Sequence, residues 1–265
     1  MNKINLNYLQ DLKQKSERFA CLTAYDASFA QILSEVGVEV ILIGDSLANV
    51  VQGHETTIPI RLKEMVYHTR CVSRGNCGAL LIADLPFMTY ATPTQALKSA
   101  AQLMQAGAHV VKLEGGAWLA ETVHLLSERG IPVCGHLGLT PQSLHQLGGY
   151  RVQGRHPHHA EALLEDAIAL QKAGARLIVL ECIPSTLAAE ITSNLSIPTI
   201  GIGAGPECDG QILVIYDLLG ITPGYTPKFA KNFLIDQPIA SIQEAVKAYI
   251  NAVKEQRFPI AEQGF

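Results

Sequence analysis

The sequence lacks the features that would direct it to nucleic acid or to a membrane. Its net charge of −4 and isoelectric point near 6.1 give no excess of basic residues to attract phosphate backbones, so no nucleic-acid partner is expected. No apolar run is long enough to span a bilayer, and residues 1–20 lack the apolar core and cleavage site of a signal peptide. These absences favour a cytoplasmic protein without membrane contacts.

The spacing of the cysteines does not match a redox pair or a zinc site. No C-x-x-C pair and no zinc-ligand pattern occurs among them, and a chain of this size needs no disulfides to be stable. We therefore expect reduced, mostly buried thiols. The six are Cys21, Cys71, Cys77, Cys134, Cys182 and Cys208.

What the sequence does contain is enough apolar residues for a large core. Of its 265 residues, 48% are hydrophobic and 17% are charged, which is typical of a globular protein. No linker or shift in composition divides the chain, so we predict one domain over residues 1–265. The residues after about Leu234 have the pattern of a C-terminal helical extension.

One unit recurs along the chain: a helical stretch, a glycine, an apolar run and then an acid. The glycine falls where a helix end needs a left-handed residue, and the apolar run reads as a strand buried on both faces. The glycines of the three copies are Gly37, Gly107 and Gly174, and the acids are Asp45, Glu114 and Glu181.

Further strands are predicted without this signature. They are residues 18–26, 77–87, 131–139 and 197–205, with a weaker eighth at 212–220. Eight strands alternating with helices in about 250 residues predict a (β/α)8 TIM barrel. A doubly wound open sheet is the alternative, but polar residues close almost every strand, as expected when all strand ends surround one pocket.

Three acids at strand ends predict a metal site. Asp45, Asp84 and Glu114 would repel one another unless a cation neutralised them, and a set of oxygen ligands favours Mg²⁺. Lys112 and Glu114 are two residues apart, so they point to the same side of their strand. Two other interpretations stay open: a self-contained Lys112–Glu114 pair that fills the barrel, and an Asp84 that only caps a helix.

The remaining polar residues suggest roles around that metal. Glu181 lies further round the predicted barrel beside apolar neighbours, which suits a general base facing the metal. We predict only that His136 lines the substrate pocket, since a lone histidine is often structural. Cys182 is expected to point into the layer between barrel and helices as a packing residue. These residues suggest a Mg²⁺-assisted enzyme that abstracts a proton beside a carbonyl, without naming its substrate.

A set of ordered motifs does suggest a substrate. The segments LTAYD, IGDSL, VQGHETT, ADLPF, VKLEGG, CGHLGLTPQS, GGYRVQGR, LECIP, GIGAG, DGQ and PKFAKNF cover nearly the whole chain. In this order they resemble the ketopantoate hydroxymethyltransferase family. The resemblance implies a TIM barrel that transfers a one-carbon unit from 5,10-methylenetetrahydrofolate to 3-methyl-2-oxobutanoate in pantothenate and coenzyme A biosynthesis. It also implies a cytoplasmic homodecamer of two pentameric rings.

Roles follow from the resemblance position by position. Asp45 and Asp84 match the Mg²⁺-site aspartates, and Glu114 matches the acid that completes that site. Ser46 and Lys112 match residues that hold the carboxylate and keto groups of the oxoacid, and Glu181 matches the proton acceptor. The implied mechanism is removal of a proton by Glu181 to give a Mg²⁺-stabilised enolate, which attacks the methylene group of the folate.

Two other functions compete with this one. The first is a lyase or mutase of the phosphoenolpyruvate mutase and isocitrate lyase type, from which we would expect a cysteine in a K-K-C-G-H-like loop motif that this sequence lacks. The second is an oligomeric scaffold without activity. The presence of Lys112, Glu181 and all three metal-site acids argues against a scaffold.

Overall fold

A closed barrel of eight parallel strands forms the centre of the computed structural model, which describes residues 3–222, 224, 226–235 and 241–265. The strands follow one another in chain order, and the last pairs with the first. The TIM-barrel prediction is therefore confirmed, and the open sheet is excluded. The strands are β1 (Phe19–Thr23), β2 (Val40–Ile43), β3 (Leu80–Asp84), β4 (Val110–Glu114), β5 (Val133–Gly138), β6 (Leu177–Glu181), β7 (Thr199–Ile202) and β8 (Gly210–Leu213).

Helices surround this barrel, and the loop 203–209 joins β7 directly to β8. Sequence features explain several helix ends. Thr92 caps a helix by accepting a hydrogen bond from the Gln95 N–H, and Gly37 and Gly174 end helices in the left-handed conformation. The helices are α1 (Leu6–Gln14), α2 (Ala27–Val36), α3 (Leu47–Val50), α4 (Leu62–Gly75), α5 (Pro93–Gln105), α6 (Ala120–Glu128), α7 (Leu144–Leu147), α8 (Pro157–Ala173), α9 (Ser185–Asn194), α10 (Ile215–Leu218) and α11 (Ile242–Lys254).

Two apolar clusters result from the alternation of side chains along the strands. The larger fills the layer between barrel and helices, and the smaller fills the barrel interior. Leu9 and Leu12 of α1 belong to the interior cluster, together with Phe19 at the start of β1. Helix α1 therefore closes the amino end of the barrel, where Lys13 forms an ion pair with Asp209 at 2.8 Å.

The eighth strand differs from its prediction. It covers Gly210–Leu213, whereas residues from Ile215 to Leu218 form helix α10. The predicted segment 212–220 is almost entirely apolar, and such a run does not distinguish a buried strand from a buried helix.

The C-terminal helical extension is present as α11, and residues 236–240 before it lie outside the described part of the chain. Phe233, in the KFAKNF segment, packs edge-to-face against Tyr249 of this helix. Among the residues that the structure describes, no helix combines the length and apolar character needed to cross a membrane.

Candidate active site

A cavity of about 750 Å³ opens at the carboxyl ends of the strands. All seven residues that the sequence predicted for the site line this one cavity. They are Asp45, Ser46, Asp84, Lys112, Glu114, His136 and Glu181. We call the six of them other than Ser46 the acid cluster.

Strand register brings the acid cluster together. Asp84 of β3 is paired with Lys112 of β4, and Glu114 of β4 is paired with His136 of β5. Because side chains alternate along a strand, Lys112 and Glu114 both face the interior, as predicted. Neighbouring strands lie less than 5 Å apart, which leaves these paired side chains in contact.

Lys112 is the central cation of the cluster. Its Nζ lies 3.1 Å from Asp84 Oδ1 and 3.7 Å from Glu114 Oε1. Burial alone would lower the pKa of Lys112, but the carboxylates of Asp84, Glu114 and Asp45 outweigh burial and raise it. Lys112 therefore stays charged. It pairs with Asp84 as well as with Glu114, so the two residues do not form the self-contained pair that the sequence left open.

His136 connects two acids. Its Nδ1 lies 3.2 Å from Glu114 Oε1, and its Nε2 lies 3.1 Å from Glu181 Oε2. Burial and Lys112 lower the pKa of His136, but the two glutamates more than compensate and raise it to about 9. Burial would raise the pKa of Glu114, yet His136 and Lys112 hold it below its usual value. Glu114 is thus an ionised, well-compensated acid.

Two residues of the site were not predicted. Gln142, in the turn after β5, donates from Nε2 to Asp45 Oδ2 at 2.9 Å and to the Leu85 carbonyl at 3.0 Å. Its backbone N–H donates to Glu114 Oε2 at 3.0 Å. The Tyr90 hydroxyl donates to Gln142 Oε1 at 2.6 Å, which fixes the orientation of the amide. The CGHLGLTPQS motif contains Gln142, but the motif alone gave no reason to choose this residue.

Asp45 and Asp84 are less well compensated than Glu114. Burial raises the pKa of Asp45 well above its usual range, and Asp84 and Glu114 raise it further. Burial also raises the pKa of Asp84, against the opposing effects of Lys112 and the Asp45 N–H, which donates to Asp84 Oδ2 at 2.9 Å. The interpretation of Asp84 as only a helix cap is wrong, since it ends β3 inside the cluster.

Asp84 also carries an unsatisfied atom. Its Oδ1 faces Lys112 without hydrogen-bond geometry and accepts no hydrogen bond from the residues that the structure describes. Within that described part, no group of three or more His, Cys, Asp or Glu side chains has the arrangement of a metal site. The donors that fit Mg²⁺ best are therefore the oxygens of Asp45 and Asp84, because Mg²⁺ commonly uses one or two carboxylates and completes its shell with water or substrate oxygens.

Ser46 and Cys182 occupy the sides of the cavity. The Ser46 hydroxyl lies 2.9 Å from the Tyr25 hydroxyl, which holds it at the end of β2. Cys182 is buried, as expected, but it follows the last residue of β6 in a left-handed conformation and lines the cavity. Its predicted orientation towards the helix layer is wrong because the strand alternation stops at Glu181.

Comparison with known sequences gives a consistent family match. The family model described as ketopantoate hydroxymethyltransferase matches residues 3–261. A protein of Pseudomonas fluorescens named 3-methyl-2-oxobutanoate hydroxymethyltransferase 2 is 58% identical over 100% of this chain and 99% of its own. A Marinobacter nauticus protein named 3-methyl-2-oxobutanoate hydroxymethyltransferase is 56% identical over 99% of this chain and 98% of its own.

Solved structures with little sequence similarity share the fold. A putative phosphonomutase from Burkholderia cenocepacia has a TM-score of 0.66 and 14% identity over 83% of this chain and 95% of its own. A phosphonopyruvate hydrolase complex with oxalate and Mg²⁺ has a TM-score of 0.61 and 12% identity over 97% of each chain. At such identities the likeness concerns the barrel fold alone.

Proposed function

The chain belongs to the ketopantoate hydroxymethyltransferase family and is a hydroxymethyltransferase, and we propose that it acts on 3-methyl-2-oxobutanoate with 5,10-methylenetetrahydrofolate as the one-carbon donor. The product would be 2-dehydropantoate (ketopantoate), a precursor in pantothenate and coenzyme A biosynthesis. The high identity over the full chain supports this reaction. The arrangement of charges in the acid cluster supports its mechanism.

The proposed mechanism rests on the excess of negative charge in the acid cluster. Four carboxylates face two cationic side chains, Lys112 and His136, and Asp84 Oδ1 accepts no hydrogen bond from the described residues. A divalent cation would offset that excess. We propose that Asp45 and Asp84 would hold Mg²⁺ directly and that Glu114 completes the site.

When bound, Mg²⁺ supplies Lewis acidity that draws electron density from the keto and carboxylate oxygens of the oxoacid. Lys112 and Ser46 would bind those oxygens from the protein side, since both line the cavity beside Asp45 and Asp84. Lys112 has three N–H donors, so it can serve the substrate while it stays paired with Asp84. His136 also lines the cavity, and we propose that it contacts the oxoacid as well.

Glu181 is the proposed base. It ends β6 with 16% of its side chain exposed, and one of its oxygens lies 3.1 Å from His136 Nε2. This ion pair would keep the carboxylate at the cavity wall while its other oxygen takes the proton from the tertiary carbon of the substrate. The resulting enolate forms the new carbon–carbon bond with the methylene carbon. Both bonds from that carbon to folate nitrogen break, one water supplies the hydroxyl group and one proton, and the proton taken up by Glu181 supplies the second N–H of tetrahydrofolate, which returns Glu181 to its ionised form.

The test separates proton removal from carbon transfer. With Mg²⁺ and without folate, NMR would follow deuterium exchange at the tertiary carbon of 3-methyl-2-oxobutanoate. We expect exchange in the wild type, a loss of at least 100-fold in Glu181→Gln in line with general-base contributions, and no change in the surface control Glu190→Gln. Failure of the wild type to exchange, together with no ketopantoate after folate is added, would contradict the proposal and favour the lyase or scaffold.

We propose that residues 1–265 fold as one domain, and that the protein forms a homodecamer in the cytoplasm. Sedimentation velocity would measure the mass of the assembly, for which ten copies of the 28.6 kDa chain are expected. A monomer or dimer at micromolar concentration would contradict the decamer.

A further inference from the structure

The cavity is larger than a small oxoacid needs, and its lining contains a second set of residues besides the acid cluster. A volume of about 750 Å³ is in the range of pockets that hold drug-sized ligands. The acid cluster occupies the ends of β3 to β6, with Asp45 just after β2. The wall beyond β7 and β8 contains a different set of residues, Asp217, Lys228, Phe229 and Phe265, which we call the upper wall.

Asp217 is a buried carboxylate that the proposed proton transfer does not use. It belongs to α10, and 5% of its surface is exposed. It accepts a hydrogen bond from the Thr222 hydroxyl at 2.5 Å, and no basic side chain of the described chain forms an ion pair with it. Burial raises the pKa of Asp217. A buried carboxylate with so little compensation is costly, and a ligand that donates hydrogen bonds would relieve that cost.

Two aromatic rings line the same cavity after β7. A side chain at Gly203 would collide with Phe229 Cδ1 at 2.8 Å and Phe265 Cε2 at 3.1 Å, so both rings sit over bare backbone after β7. Lys228 Nζ donates to the Gly264 carbonyl at 2.9 Å and lies 5.1 Å from the centre of the Phe265 ring. These contacts hold Phe265 at the wall of the cavity.

We propose that the upper wall binds the fused ring of the one-carbon donor, with the Asp217 carboxylate accepting hydrogen bonds from its amino-pyrimidinone edge. That edge of a reduced pterin carries a ring N–H and an amino group side by side, which matches the two oxygens of a carboxylate. Phe229 and Phe265 offer faces for the ring to pack against. The inference rests on the proposed function and adds the residues that select the donor.

The chain offers a test in which donor binding and oxoacid chemistry are measured separately. Titration calorimetry would measure binding of tetrahydrofolate, kept free of oxygen, in the presence of Mg²⁺ and 3-methyl-2-oxobutanoate. Asp217→Asn keeps the size of the side chain and an acceptor for Thr222, but loses one acceptor for the pterin edge. We expect at least tenfold weaker binding in Asp217→Asn, a smaller loss in Phe265→Leu, and none in Asp11→Asn, an exposed control on α1.

Deuterium exchange on the oxoacid needs no donor and gives the second readout. Asp217→Asn is expected to weaken tetrahydrofolate binding while exchange continues. Unchanged tetrahydrofolate affinity in both Asp217→Asn and Phe265→Leu would overturn the inference while leaving the proposed function intact. Loss of exchange together with binding in Asp217→Asn would also overturn it, because that result indicates a general structural role. A wild type that neither exchanges nor binds tetrahydrofolate would instead refute the proposed function itself.

Discussion

At the scale of single residues, Asp45 shows how the proposed metal site would cost stability when no metal is bound. Its carboxylate is 4% exposed and lies near Asp84 and Glu114, and burial together with these neighbours raises its pKa. Ionised Asp45 is therefore unfavourable in the folded protein without a cation. A cation bound among these carboxylates would remove their repulsion and stabilise the folded protein by that free energy.

Asp45→Asn should make the metal-free protein more stable. Asparagine removes the charge and still accepts the hydrogen bond from Gln142. In EDTA we expect the thermal midpoint to rise by roughly 2–4 °C for each kcal/mol of repulsion removed. Addition of Mg²⁺ should raise the wild-type midpoint but leave the variant unchanged. A variant less stable than the wild type in EDTA would show that repulsion at Asp45 is small.

Gln142 should stabilise the folded protein through its hydrogen bonds to Asp45 and the Leu85 carbonyl. Gln142→Met has a similar length but removes both amide donors, so Asp45 and the Leu85 carbonyl each lose a buried hydrogen bond. We expect a loss of about 1–3 kcal/mol in the free energy of unfolding. Tyr90→Phe, which removes only the contact that orients the amide, should cost less. Equal stability of wild type and Gln142→Met in urea titrations would contradict this role.

The charged residues of the site could be predicted from the sequence, and Ser46 from the family resemblance, whereas Gln142 and Tyr90 could not. Acids and a lysine are unexpected at the ends of buried apolar strands, so they can be recognised in the sequence. Gln142 and Tyr90 lie in loop segments where polar residues are ordinary, so no local pattern distinguishes them. The bridge through His136 depended on strand register, which the sequence pattern did not give.

At the scale of elements, the close approach of β5 and β6 positions Glu181, the proposed base. Gly138 ends β5 with a φ of 92°, and a side chain there would lie 2.2 Å from the Glu181 carbonyl oxygen. Only glycine fits this combination of left-handed backbone and close contact. The position of Glu181 therefore depends on a neighbouring strand that carries no side chain at this point.

Gly138→Ala should disturb both stability and catalysis. We expect the added methyl group to push β6 away, lowering the free energy of unfolding by about 1–3 kcal/mol and slowing deuterium exchange. Gly130→Ala is a control, because Gly130 also has a positive φ but nothing lies within 4 Å of its added methyl group. Similar exchange rates in the two variants would show that the contact with Glu181 is unimportant.

His109 at the amino end of β4 should make stability depend on pH. Its Nδ1 accepts a hydrogen bond from the Leu81 N–H at 3.0 Å, which requires an unprotonated nitrogen. Burial, with a contribution from Lys3, lowers the pKa of His109. The unfolded chain then takes up the proton at higher pH than the folded protein, so stability falls as the pH drops below about 6.5.

His109→Asn keeps an acceptor for Leu81 but cannot titrate in this range. Between about pH 7.5 and pH 5.5 we expect the thermal midpoint of the wild type to fall further than that of the variant. The comparison between the two proteins removes the contribution of other titrating groups. Parallel curves would mean that His109 is protonated equally easily in both states.

The elements themselves were largely predictable because apolar runs and glycines recur at regular intervals. Seven predicted strands correspond to β1 to β7, and Gly37 and Gly174 end their helices as expected. The boundary between β8 and α10 was missed because both are buried and apolar. Helix α1 was also missed, since its few apolar residues give only a short stripe whose partner is the distant barrel interior.

At the scale of the whole molecule, α1 makes the two ends of the barrel unequal. Leu9 and Leu12 complete the interior cluster at the amino end, and Gln10 donates to the Ser196 carbonyl at 2.6 Å and helps to fasten the helix there. The interior below the acid cluster is packed with apolar side chains. The cavity at the carboxyl end is therefore the route by which ligands reach the acid cluster.

If the entrance seen among the described residues is the one that both substrates use, the proposed reaction must bind them in a fixed order. If the oxoacid lies against the acid cluster and the donor against the upper wall, a bound donor would block the passage of the oxoacid in either direction. We expect compulsory-order kinetics, with the oxoacid first to bind and ketopantoate last to leave. Product inhibition would test this: ketopantoate should compete with the oxoacid, whereas tetrahydrofolate should not. Competition by both products would instead indicate random access, so the closed floor of the barrel would have no kinetic effect.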